Sequence, residues 1–200
     1  MNKRQRCYSS YYHDYFEDHV EIVKRTPDGK SHIERVYVGY YYRHAFSSKR
    51  WLFTKALYAL LYAFSAAVFL HAASQRIAAN MVWYVQIFEF LSVIFLLLTL
   101  YTLAMYEIAP RRMTVWEYRT GSKRLVLFGG AAAGSMMGAG GAAWVYAAIC
   151  RESAEAGFSA GACMILSGAA IMAVAVMERG MKYERLKQEG VPTPNGLRIW

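Results

Sequence analysis

Glu89 is the residue whose type and setting point most directly to chemistry. The ten residues that follow it, FLSVIFLLLT, are all apolar or carry only a hydroxyl. A carboxyl group in such a run is expensive to maintain, so it calls for a bound cation, a proton path or a hydrogen bond to a neighbouring helix. On a helical wheel Glu89, Ser92, Thr99 and Tyr106 share one sector, with Gln86 at its edge. That makes a polar stripe on an otherwise apolar helix. Matching depth across the other apolar runs nominates Tyr62, Ser65, Trp144, Ser167 and Cys163 as neighbours of Glu89, with the hydroxyls and the indole as donors. Two chemistries follow: proton or cation coupling in a transport path, or an interhelical hydrogen bond that only glues.

The remaining reactive side chains do not assemble into a known constellation. His13, His19, His32 and His44 lie in the first 50 residues, without Cys-x-x-Cys, His-Glu-x-x-His or an Asp-rich calcium loop. No metal site and no cofactor is expected. Cys7, Cys150 and Cys163 are too few and too scattered for a disulfide framework, and the last two differ in depth by about 10 Å. The serines inside the apolar runs lack a matching His and Asp, and the glycine-rich run lacks the Gly-Lys-Ser/Thr ending of a phosphate loop. No catalytic residue is nominated, and the chain is not expected to be an enzyme.

Four apolar runs must position Glu89: 51–73, 81–106, 125–150 and 157–177. Each is long enough for a helix to cross about 30 Å of hydrocarbon. They account for a chain of 200 residues that is 56% apolar and yet carries a net charge of +9. Twenty of the 23 Lys and Arg residues fall in 1–50, in the 107–124 link or after residue 177. Arg76 and Arg151 mark the two short links, and Lys55 lies inside the first run, near enough to its start to snorkel back to water. The positive-inside rule then places both termini in the cytoplasm. The first run begins too far into the chain for a cleaved signal peptide, so it is read as an internal span. The basic excess is thus a topology signal, with attraction to anionic headgroups, and no nucleic-acid partner is expected.

Glycine spacing suggests how the spans pack. Gly130, Gly134 and Gly138 recur every four residues in the third run, and Gly157 and Gly161 lie in the fourth. Small residues at that spacing let backbones approach. The short link after residue 150 makes these two spans antiparallel neighbours, and homodimerisation through the Gly130 stripe is the alternative use.

Outside the spans, 19–38 reads as a β-hairpin. Pro27, Asp28 and Gly29 suit a bulged three-residue loop. That register sets Val20 opposite Val36, Glu21 opposite Arg35 and Val23 opposite Ile33. Eight of the chain's 16 tyrosines precede residue 43, giving this segment an interfacial character. The 107–124 link, with Trp116 and Tyr118 among its basic residues, should lie partly on the headgroup surface. After residue 177 the charged run should extend the last span as a helix until Gly190 and Pro192.

The expected fold is an all-α membrane protein: a four-transmembrane-helix bundle (51–177) with a small N-terminal cytoplasmic β-hairpin in 1–50 and a cytoplasmic helix and tail in 178–200. The expected role is association in the cytoplasmic (plasma) membrane, as a scaffold, accessory or assembly subunit. Its partners would be the lipid bilayer, a second copy, or a protein on the cytoplasmic face. A small transporter or channel subunit centred on Glu89 is the alternative.

Overall fold

The structure is a computed structural model that describes residues 19–25, 31–37, 39–150 and 154–187, with side chains described between Tyr37 and Leu186. Cys7, His13, the tyrosines before residue 16, the 26–30 turn and the 188–200 tail lie outside the described residues.

Strands β1 (His19–Arg25) and β2 (Ser31–Tyr37) form a two-stranded antiparallel sheet. Val20 pairs with Val36, Glu21 with Arg35 and Val23 with Ile33, the register that a loop closing between Thr26 and Lys30 implies. Strand β3 (Tyr40–His44) follows, and then helix α1 (Ser48–Ala73). A 3-10 turn (Ala78–Met81) leads into α2 (Trp83–Ile108). The two-residue strand β4 (Arg112–Met113), a single helical turn α3 (Val115–Tyr118) and a π turn (Arg119–Lys123) connect to α4 (Arg124–Ile149). Helix α5 (Ala154–Arg179) and strand β5 (Tyr183–Lys187) complete the described chain.

Among the described residues four helices are long and apolar enough to cross a membrane: α1, α2, α4 with its preceding turns, and α5. Taken without those turns, the helices start and end within a few residues of the expected boundaries. Their outward faces carry Leu52, Phe53, Trp83, Phe90, Leu127 and Val176, all well exposed. A bundle built for water would put polar side chains there. Helix α4 is the centre of the bundle and packs against α5 and α2, while α1 packs against α5. Phe69, Leu96, Met136 and Met164 fill one half of the core, and Tyr58, Leu103, Tyr106, Leu125 and Val174 fill the other.

The glycines divide by face. A Cβ on Gly140 would meet the Gly161 carbonyl oxygen at 2.6 Å, and one on Gly157 would meet the Ala147 Cβ at 2.9 Å. The α4–α5 contact is therefore backbone-close, as small-residue packing allows. Gly130 and Gly134 do not take part: nothing lies within 4 Å of a Cβ built on either. Gly138 faces α2, where a Cβ would meet the Phe88 ring at 2.9 Å. The four-residue spacing traces one line along α4, but α5 packs on a neighbouring line through Gly129, Ala133, Met136 and Gly140.

One end of the bundle carries a three-stranded antiparallel sheet in the order β4-β3-β5, which the sequence did not announce. Beyond the last span the chain does not continue as a helix. Helix α5 stops at Arg179, and the next residues turn back to pair with β3, His44 opposite Tyr183 and Arg43 opposite Glu184. Gly180 weakens any helical continuation, and β3 offers an open row of backbone donors and acceptors beside aromatic side chains. Arg185 stacks over the Tyr40 ring at 3.7 Å, and the His44 and Tyr183 rings lie 4.3 Å apart. The 107–124 link is likewise built into the fold. A capping box between Thr114 and Glu117 starts α3, Tyr118 stacks on Tyr42, and Met113 is fully buried.

Candidate functional site

The stripe on α2 points inward as its spacing requires. Ser92, Thr99 and Tyr106 are buried, Glu89 is half-buried and Gln86 is exposed. Ser92 lies 3.0 Å from Ser135 on α4, which ties the two helices together, whereas Thr99 donates within its own helix to the Phe95 carbonyl oxygen (2.7 Å). Glu89 Oε1 is shut away from solvent without a hydrogen-bond partner.

The donors nominated for Glu89 are engaged elsewhere. Tyr62 donates to the Leu96 carbonyl oxygen at 3.1 Å, and Trp144 Nε1 donates to the Phe158 carbonyl oxygen at 2.9 Å. Ser167 donates to the Ser65 carbonyl oxygen (2.6 Å), and the two hydroxyls lie 2.9 Å apart, clamping α1 to α5. Tyr62 meets α2 at Leu96, seven residues along the helix from Glu89, and Trp144 and Ser167 spend their polar atoms on α5 and α1. Cys150 and Cys163 are free thiols.

A polar cluster at the sheet end centres on Glu178, which is only 2% exposed. Three hydroxyls from three elements converge on its carboxylate. Tyr58 of α1 donates to Oε2 at 3.2 Å, and Ser122 of the π turn and Tyr183 of β5 both donate to Oε1. A buried carboxylate that accepts several hydrogen bonds can remain charged in the interior, and removing them would strand it. Burial first, then the Glu178 charge, pushes the Tyr183 phenol above its ordinary range, so it stays a donor. The node welds α1, the π turn and β5 to the last turn of α5.

His44 extends this cluster. Its Nε2 lies 3.2 Å from Tyr106 Oη, its Nδ1 is buried without a partner, and the residue is fully enclosed. Burial, with the positive charges of Lys55 and Arg111 adding to it, lowers its pKa to about 4, so the imidazole is neutral. Lys55 does not snorkel to water. Its ammonium is buried, donates to the carbonyl oxygens of Glu107 (2.5 Å) and Ala109 (3.0 Å), and lies 3.8 Å from the Trp51 ring centroid. A cation there closes the C-terminus of α2, where unsatisfied carbonyls gather negative potential.

A cleft of about 350 Å³ opens beside the node, between the start of α4 and the end of α5. Tyr118, Lys123, Val126, Glu178, Arg179 and Tyr183 are among its walls. In the sequence Glu178 begins a charged run and so reads as solvated. The signal it left was Gly180 two residues later, which marks the helix end. Among the described residues no group of three or more His, Cys, Asp or Glu side chains could hold a metal ion.

Compared with protein-family models, curated proteins and solved structures, the chain matches none.

Proposed function

We propose that the chain is a multi-pass integral membrane protein of the plasma membrane that works by association, as a scaffold, accessory or assembly subunit. In this reading both termini and the three-stranded sheet lie in the cytoplasm. Twenty of the 23 Lys and Arg residues fall on that side, and apolar side chains cover the outward helix faces. The observation that carries the association role is the sheet itself. It gathers the chain before α1, the α2–α4 link and the chain after α5 into one surface, and the Glu178 node locks that surface to the bundle. A rigid platform of this kind suits docking.

The test is extraction into native lipid nanodiscs with photo-crosslinking residues at exposed Tyr40 and Arg185. The expected result is a stable oligomer or a stoichiometric partner crosslinked through the sheet. A bare monomer with no crosslink at either position contradicts the proposal.

One observation favours a second reading, a small transporter or channel subunit with proton or cation coupling at Glu89. The buried Oε1 has no hydrogen-bond partner, and a carboxyl oxygen in that state suits a transient proton or cation. Glu89→Gln should then abolish a proton- or cation-linked flux in proteoliposomes. Equal flux in wild type and variant, or none in either, removes this reading.

A further inference from the structure

The cleft beside Glu178 carries opposite charges at different depths. Lys123 and Arg179 are exposed at its mouth, whereas the Glu178 carboxylate forms part of its wall and is buried. Tyr118 and Tyr183 supply aromatic walls, and Lys123 Nζ stands 5.7 Å from the Tyr118 ring centroid. The cleft lies where α4 begins and α5 ends, so on the membrane reading, on which this inference rests, it sits at headgroup depth. Exposed Leu127 and Val176 continue from it along the apolar part of the same two helices.

We propose that this cleft binds the headgroup of an aminophospholipid, with the phosphodiester between Lys123 and Arg179 and the primary ammonium at Glu178. Each half of the site answers one half of such a headgroup. Two exposed cations suit a phosphate, which can accept hydrogen bonds from both. The carboxylate has about four lone-pair positions, two on each oxygen. Ser122 and Tyr183 fill those on Oε1, and Tyr58 takes one on Oε2. The Tyr106 phenol also stands beside this carboxylate, and when it donates to His44 Nε2 instead, one acceptor position is left for an ammonium N–H. The tyrosine rings favour the same cation through their faces. A purely anionic headgroup leaves Glu178 unanswered, and a trimethylated ammonium has no N–H to donate. A space of about 350 Å³ falls within the range of small-ligand sites.

The experiment is native mass spectrometry of the detergent-purified full chain, titrated with phosphatidylethanolamine, phosphatidylcholine and phosphatidylglycerol. Phosphoethanolamine and inorganic phosphate serve as competitors. Retention of phosphatidylethanolamine about tenfold above phosphatidylcholine is expected, the size of one charge-assisted hydrogen bond. Phosphoethanolamine should compete better than phosphate. The Lys123→Ala/Arg179→Ala double variant changes only exposed side chains, so its fold is kept, and it should lose about tenfold or more in lipid retention. Glu178→Gln should level the two zwitterionic lipids. Equal retention of those lipids by the wild type, an unchanged double variant, or phosphate competing as well as phosphoethanolamine overturns the proposal. Failure of the membrane reading registers separately and earlier, as a chain that stays soluble without detergent, and it overturns this site as well.

Discussion

Gly140→Ala and Gly134→Ala insert the same methyl group six residues apart on α4, and the structure predicts opposite outcomes. Replacing a helical glycine by alanine gains up to about 1 kcal/mol from backbone propensity at either position. At Gly134 nothing lies within 4 Å of the new Cβ, so that gain should survive. At Gly140 the Cβ would stand 2.6 Å from the Gly161 carbonyl oxygen and 2.7 Å from Ile165 Cγ1. The first of these is backbone and cannot rotate away, so α4 and α5 must separate by several tenths of an ångström. Overpacking of that kind costs about 1–3 kcal/mol, and here it strains the central contact of the bundle. The propensity gain is common to both, so the two variants should differ by the overpacking cost, about 1–3 kcal/mol, and Gly140→Ala should be up to about 2 kcal/mol less stable than the parent. Equilibrium unfolding in mixed micelles with increasing dodecyl sulfate fraction, followed by tryptophan fluorescence, reads this difference. Trp144 is a suitable reporter because it bridges α4 to α5 through the Phe158 carbonyl. Equal stability of the two variants, or Gly140→Ala the more stable, would refute the packing argument.

Other residues give independent tests. Glu178→Ala leaves three buried hydroxyls without their acceptor and should cost about 3–5 kcal/mol, concentrated at the sheet end. Faster hydrogen exchange at the β5 amides with the mid-helix amides unchanged is the expected signature, and unaltered β5 exchange contradicts it. His44 is held neutral with a pKa of about 4, against 6.5 for a free imidazole. The unfolded chain therefore takes up a proton between pH 6.5 and 4 that the folded chain refuses. Stability is full above pH 6.5 and falls by up to about 3 kcal/mol as pH drops to 4. A melting series over that range should show a slope that His44→Gln flattens, and an identical slope in the variant would sink this account.

The four helices were legible because their apolar runs are long and uninterrupted, which needs no knowledge of partners. The β1–β2 register was legible because the residues flanking a Pro-Asp-Gly turn fix which side chains oppose. Contacts between distant segments were not. Strand β4 has two residues and leaves no pattern, and YERLK has the composition of a helix, so only the edge of β3 makes it a strand. Tyr40, Tyr41 and Tyr42 in succession were the strand signal near at hand. Glu89 stands out because it interrupts an apolar run, but depth counted along separate helices does not say which side chains meet, and Tyr62, Trp144 and Ser167 donate to backbone carbonyls instead. Glu178 was the converse case: a carboxylate beside other charges reads as solvated until Ser122 and Tyr183, brought from far along the chain and from a strand, close over it.

The claim on which the rest depends is that four spans place the sheet on the cytoplasmic side and the two short links on the other. Single cysteines test it most directly, introduced as Tyr40→Cys, Glu184→Cys, Ser74→Cys or Glu155→Cys in a chain whose Cys7, Cys150 and Cys163 are replaced by serine. All four introduced positions are exposed in the structure. With a membrane-impermeant maleimide, positions 74 and 155 should label in intact cells, and positions 40 and 184 only after permeabilisation. Labelling of 40 or 184 in intact cells, or protection of 74 and 155 until permeabilisation, would contradict the account.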